Sequence, residues 1–183
     1  MTNVRKAMYF LGVLDDRDME WLATHGTKRF VPAGTVLIRE GEPIQSVLIL
    51  LEGRLSVTIK AGFTLATLKD GEIVGEISFI DSRPPLATVS AAENSHVLDV
   101  PRDRLRRRLE AEPPFAARFY RAAALYLADR LRVTSSRLGY GAATQDNDAT
   151  ELDEAFLDNV SMGATRFDAL LRMLSIPTTG VAG

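Results

Sequence analysis

Residues 27–101 consist of short apolar runs separated by glycines. Several runs alternate apolar and polar positions, as in Leu55-Ser56-Val57-Thr58-Ile59, which puts successive side chains on opposite faces of a strand. The runs are Lys28–Val31, Val36–Arg39, Val47–Leu51, Leu55–Ile59, Thr64–Leu68, Ile73–Val74, Thr88–Ala91 and Val97–Val100. Eight short strands at this spacing predict a sandwich or barrel rather than an α/β sheet. Both flanks switch to helical spacing. Ahead of the strands, Phe10, Leu11, Leu14, Met19 and Leu22 predict a short helical turn and then a helix over roughly Asp16–Thr24, with Asp15 or Asp16 as its cap. Behind them, Pro101 opens a helix of about Arg102–Ala111, and Pro113-Pro114 starts a longer one running to about Leu138.

The long helix carries two apolar stripes. Ala117, Tyr120, Ala124, Leu127, Leu131, Thr134 and Leu138 recur at alternating steps of three and four, which is a heptad seam. Phe115, Phe119, Ala122, Tyr126 and Val133 form the other stripe. One stripe can lie on the strands while the other meets a partner helix; the alternative is a monomer whose seam packs on its own tail. In that tail Gly139-Tyr140-Gly141 breaks the helix. Asp146, Asp148, Glu151, Asp153, Glu154 and Asp158 then follow without a base among them. Thr165-Arg166-Phe167-Asp168 resembles a capping box, and Phe167, Leu170, Leu171 and Leu174 give one apolar face ending before Pro177. The reading is therefore a domain over 1–138, followed at 139–183 by a mobile acidic linker and a short amphipathic helix.

Composition narrows the chemistry. A net charge of −2 favours neither nucleic acid nor a membrane surface. The chain has no cysteine, which excludes disulfides and thiolate catalysis and fits a reducing cytosol. No signal-length or membrane-length apolar run is present, so a soluble cytoplasmic protein is expected. The basic run Arg102-Asp103-Arg104-Leu105-Arg106-Arg107-Arg108-Leu109 reads as the solvated face of a helix whose Leu105 and Leu109 face inward.

The stretch from Gly71 to Val89 reads as a strand, a Gly75-Glu76 turn, one short helical turn and a return into a second strand. It resembles the phosphate-binding cassette of the cyclic nucleotide-binding family. Residues 32–43 are similar to the opening of that family's β-roll, and residues 50–57 to its following hairpin. Gly34, Gly41, Gly53, Gly71 and Gly75 fall where its tight turns are wanted. The resemblance extends over about residues 8–138 and is of the Crp-Fnr-like kind, without a helix-turn-helix. It implies a mainly β fold, an eight-stranded β-roll or jelly roll at about 27–101, with a long C-terminal helix that serves as dimer interface and pocket lid. An unrelated jelly roll is the alternative.

The resemblance also implies a site. Gly75 would allow close approach of a cyclic phosphate to the amides of Glu76, Ile77 and Ser78, as at a helix N-terminus. The Glu76 carboxylate would accept from the ribose hydroxyl, with Ala87 and Thr88 beyond. The alternative roles are a turn glycine at Gly75 and a local cap at Glu76. At the family's arginine position this chain has Pro85, and at the small residue after it, Leu86. Loss of a charge-assisted hydrogen bond costs about 1.5–3 kcal/mol, or one to two decades of affinity. Arg83 is the nearest substitute along the chain, and Arg130, with Leu127, and Arg132 are candidates from the lid side.

Other chemistries fit poorly. Cupins share the roll but need clustered histidines, and His25 and His96 lie on different elements. No Ser-His-Asp set, P-loop or dinucleotide fingerprint appears, so neither an enzyme nor a metal or cofactor is expected. After Leu138 the bases are Arg166 and Arg172 against an acidic majority, too few to read DNA. Two functions remain: a regulatory, dimeric sensor of cyclic AMP, cyclic GMP or a related small anion, or a nucleotide-free scaffold that holds a protein partner through the long helix and tail.

Overall fold

A computed structural model describes residues 8–60, 62–137 and 154–175. Two short helices open the described chain, α1 (Tyr9–Val13) and α2 (Asp16–His25). Eight strands follow: β1 (Thr27–Val31), β2 (Val36–Ile38), β3 (Ser46–Glu52), β4 (Leu55–Thr58), β5 (Thr64–Leu68), β6 (Ile73–Val74), β7 (Thr88–Ala91) and β8 (Ser95–Pro101). Helix α3 (Glu76–Asp81) interrupts them between β6 and β7. Helices α4 (Arg102–Ala111), α5 (Pro113–Arg137) and α6 (Glu154–Met173) follow among the described residues.

The strands form two antiparallel four-stranded sheets, ordered β1-β8-β3-β6 and β2-β7-β4-β5. Strand β3 is nearly continuous in apolar residues and buried from Val47 to Leu51, because β8 and β6 flank it and helices cover it. The other sheet alternates, with Leu55 and Val57 inward and Ser56 and Thr58 half-exposed. This is the eight-stranded roll with flanking helices that the resemblance implied. All five turn glycines singled out in the sequence have φ between +80° and +109°.

The helices are anchored by one carboxylate. Asp15 caps α2, its side chain accepting from the Asp18 amide, while Asp18 accepts from the Asp15 amide in return. Asp18 is fully buried. Its Oδ1 also accepts from Arg108 Nη2 at 2.9 Å and Arg118 Nη2 at 3.0 Å, and its Oδ2 from Arg118 Nε at 2.7 Å. The Arg108 guanidinium lies 3.9 Å from the Phe115 ring centroid and 4.8 Å from that of Trp21. Thus α2, α4 and α5 meet on one ion cluster, which fixes where α5 leaves the roll. Arg108 corrects the sequence reading of its run. Leu105 and Leu109 do face inward, but Arg108 is buried with them.

On α5 the stripe Phe115, Phe119, Ala122 and Tyr126 packs into the core. The seam faces outward, with Tyr120 48% and Leu131 67% exposed and Leu127 half-buried. The tail departs from expectation. Helix α6 already runs at Glu154, so Thr165 lies inside it rather than at its start. The Thr165 hydroxyl donates to the Ser161 carbonyl one turn back, satisfying in mid-helix a group that looked like a cap. Phe167, Leu170 and Leu171 are buried as that face required. Leu138 and the acids from Asp146 to Asp153 lie outside the described residues, so the linker expected there does too. No helix among the described residues is long and apolar enough to cross a membrane.

Burial alone would raise the Asp18 pKa; the Arg118 hydrogen bond, the Asp15 amide and the charges of Arg118 and Arg108 outweigh it and lower the value. A carboxylate so depressed stabilises the fold fully above its ordinary titration range, and the contribution is lost as pH falls through the native value. Asp18→Asn leaves two arginines facing a neutral amide and is expected to cost about 3–5 kcal/mol in urea denaturation at neutral pH. A loss below about 1 kcal/mol, the range of exposed surface pairs, would show that the cluster does not anchor the helices.

Candidate functional site

The cassette begins where β6 ends. Leu48 and Ile49 of β3 pair with Val74 and Ile73, and the chain then turns at Gly75, φ +90°, into α3. Glycine is required there on two counts. The φ is left-handed, and a Cβ would stand 3.0 Å from the Ser46 carbonyl oxygen. The Phe79 amide donates to the Gly75 carbonyl at 2.9 Å, closing the first turn of α3.

Glu76 is only 1% exposed. Its Oε1 accepts from Nη1 of Arg130 at 3.1 Å, across from α3 to α5. The Arg130 guanidinium stands 5.6 Å from the Tyr126 ring centroid, and the Tyr126 hydroxyl donates to the Ile73 carbonyl at 3.3 Å. Burial pushes the Glu76 carboxyl above its ordinary range, and Arg130 and Glu76's own amide offset only part of the rise. Burial also raises Glu72, which Arg130 again moderates. A buried acid, Glu76, a half-buried one, Glu72, and a phenol are therefore the neighbours of Arg130.

The remaining candidates spread out. Ser78 is buried beside Glu76, whereas Ile77 is 47% exposed. Thr88 accepts at Oγ1 from the Glu40 amide at 3.1 Å, and the Pro85 carbonyl accepts from the Gly41 amide at 2.8 Å, so the start of β7 is pinned to the turn after β2. Ala87, between them, is half-buried. Arg83 is exposed, and its amide donates to the Asp81 carboxylate. Leu86 is 86% exposed, which does not fit a ligand contact in this conformation. Gly75, Glu76 and Arg130 come together; Arg83 and Leu86 do not join them. Tyr126 and Glu72 were missed as neighbours of Arg130. The signal was available for Tyr126, since residues four apart share a helix face.

Glu76 lines neither of two clefts nearby. One of about 290 Å³ runs between β2, the 42–46 loop and Arg29 and Asp99; the other, about 500 Å³, is lined by Phe79, Ile80, Arg106, Leu109 and Tyr120. His25 stacks on Trp21 at 4.6 Å, and His96 pairs with Glu52 at 3.2 Å. Among the described residues no cluster of His, Asp or Glu is disposed to hold a metal.

Residues 28–112 match the cyclic nucleotide-binding domain model, and the roll belongs to that family. Over 129 residues the chain is 30% identical to an uncharacterized NTE family protein of Mycobacterium tuberculosis, covering 69% of this chain and 22% of that one. It is 26% identical over 129 residues to the cAMP-activated global transcriptional regulator CRP of Escherichia coli, covering 68% of this chain and 60% of the regulator. The matched stretch is thus less than two thirds of either relative. In fold it is similar to a cyclic nucleotide-binding domain from Methylobacillus flagellatus, with a TM-score of 0.65, 22% identity, and coverage of 73% of this chain and 81% of that one.

A carboxyl whose native pKa is raised destabilises the fold while ionised, a cost present in full above that pKa and gone only once pH has fallen below the group's ordinary value. Glu76→Gln is therefore expected to hold or raise the melting temperature at pH 7.5, at about 2–4 °C per kcal/mol, with the margin over the parent shrinking on acidification. A drop of several degrees at pH 7.5 would mean that the ion pair with Arg130 is a staple of the fold.

Proposed function

We propose that this chain is a regulatory, non-catalytic module that binds cyclic AMP, cyclic GMP or a related small anion at Gly75–Ser78 and Glu76. The observation that carries the reading is the buried Glu76 facing Arg130 across from the lid helix. An acid kept under a burial penalty at the head of a tight turn is placed for a ligand more than for stability. Arg130 supplies from α5 the positive charge that Pro85 cannot. A ligand hydroxyl that takes Glu76 would leave the guanidinium for the ligand's phosphate, at little net loss of pairing. Family membership and the similarity to a cAMP-activated regulator support the same class of ligand.

The reading includes a homodimer through α5. Tyr120, Ala124 and Leu131 are exposed on one face of a helix whose other face fills the core. Water-facing apolar residues in heptad register are what a two-stranded coiled coil buries. It also includes a cytoplasmic location, the expectation set by a chain without cysteine, and a partner other than DNA: on α6, Arg166 is engaged by Asp16 at 3.2 Å.

The scaffold reading has two observations of its own. Glu76 is already paired within the protein, and Leu86 of the cassette faces solvent. Isothermal titration with cyclic AMP and cyclic GMP separates the two. The expected result is saturable binding at about 10–100 µM or weaker, lost in Glu76→Ala. No heat at millimolar ligand would leave the scaffold. Sedimentation at tens of micromolar is expected to show a dimer that Leu127→Asp/Leu131→Asp dissociates; a monomer in the parent chain would remove the α5 interface.

A further inference from the structure

Helix α1 has five residues, too few to hold a helix in water by themselves. Its order is supplied from two sides. Toward α5, Phe10 meets Phe119 edge-on at 5.5 Å and Tyr126 at 6.4 Å between centroids. Toward α6 the contact is backbone on backbone. A Cβ on Gly12 would stand 1.9 Å from the Asn159 carbonyl oxygen, and one on Gly163 would stand 1.8 Å from that of Met8. Arg166 closes this joint, donating from Nη1 to the Gly12 carbonyl at 2.7 Å.

From α5 the contacts continue to the cassette. Tyr126 bonds the Ile73 carbonyl, two residues before Gly75, and Arg130, one turn further on, holds Glu76. Because α1 cannot keep its shape alone, its folded state is shared between α5 and α6. Movement of α5 would take away the aromatic side of that support, Phe119 and Tyr126, and so disturb the seat of α6. Loss of α6 in turn loosens the brace that Phe10 gives to α5. A marginal element biased from both sides is the physical requirement for coupling two sites.

We propose that α6 is the output element of the cassette: whatever draws Arg130 away from Glu76 weakens the seating of α6 on α1, and unseating α6 loosens Arg130. The trigger rests on the ligand reading above, whereas the joint itself does not. Linkage makes the effects reciprocal, so α6 and a ligand that takes Glu76 oppose each other to the same factor.

Hydrogen exchange on the full chain tests this, read at the amides of residues 158–173. Arg130→Ala and Glu76→Gln both break the pair without ligand, and each is expected to speed exchange in α6 about tenfold while β3 and β8 keep their protection. Saturating cyclic AMP is expected to do the same to the parent chain. Gly163→Leu, which unseats α6, is expected to tighten cyclic AMP binding several-fold. Unchanged α6 protection in both pair-breaking variants overturns the proposal, even where cyclic AMP binds. Faster α6 exchange in those variants with no binding of cyclic AMP upholds the joint and discards that ligand.

Discussion

A buried carboxylate must be fully paired or it destabilises the fold that contains it, and Asp18 meets that condition by drawing three helices to one point. Two arginines and an amide fill its acceptor positions, and two aromatic rings cover the face of one guanidinium. The consequence lies some distance away. By holding Arg108 on α4 and Arg118 on α5, the carboxylate sets the direction in which α5 leaves the roll. That direction decides which of its two apolar stripes is buried, and it brings Arg130, three turns beyond Arg118, over Glu76.

In the resemblance the positive charge comes from the cassette itself, and here that position is a proline. The charge facing Glu76 belongs instead to α5. An arginine built into the cassette loop would stay beside Glu76 wherever α5 lay, whereas one carried on α5 stays there only while α5 does. The Glu76–Arg130 pairing and the posture of α5 are therefore a single variable in this chain.

Much of the roll was legible because its signals are local. Alternation in Leu55–Thr58, the continuous apolar run of β3 and the turn glycines each report on a few neighbouring residues. Gly75 and Glu76 were legible for the same reason. What could not be read depends on distance. The spacing of Leu105, Arg108 and Leu109 puts Arg108 on the inward face, but the partner that lets a charge stay there is Asp18, ninety residues earlier. Thr165 misled because a hydroxyl before an acid looks alike at a helix start and one turn inside a helix. Glu76 and Arg130 were both named from the sequence, but their pairing is a property of the folded chain.

The joint between α1 and α6 has one further property. Helices that meet through long side chains can slide or roll, because rotamers absorb small displacements. Gly12 and Gly163 leave no such cushion, since main chain touches main chain and the carbonyls of Asn159 and Met8 fill the space a methyl would need. A translation of even one residue would bring a bulkier neighbour into collision. Helix α6 therefore has no half-way position on α1: its seating is discrete, not graded.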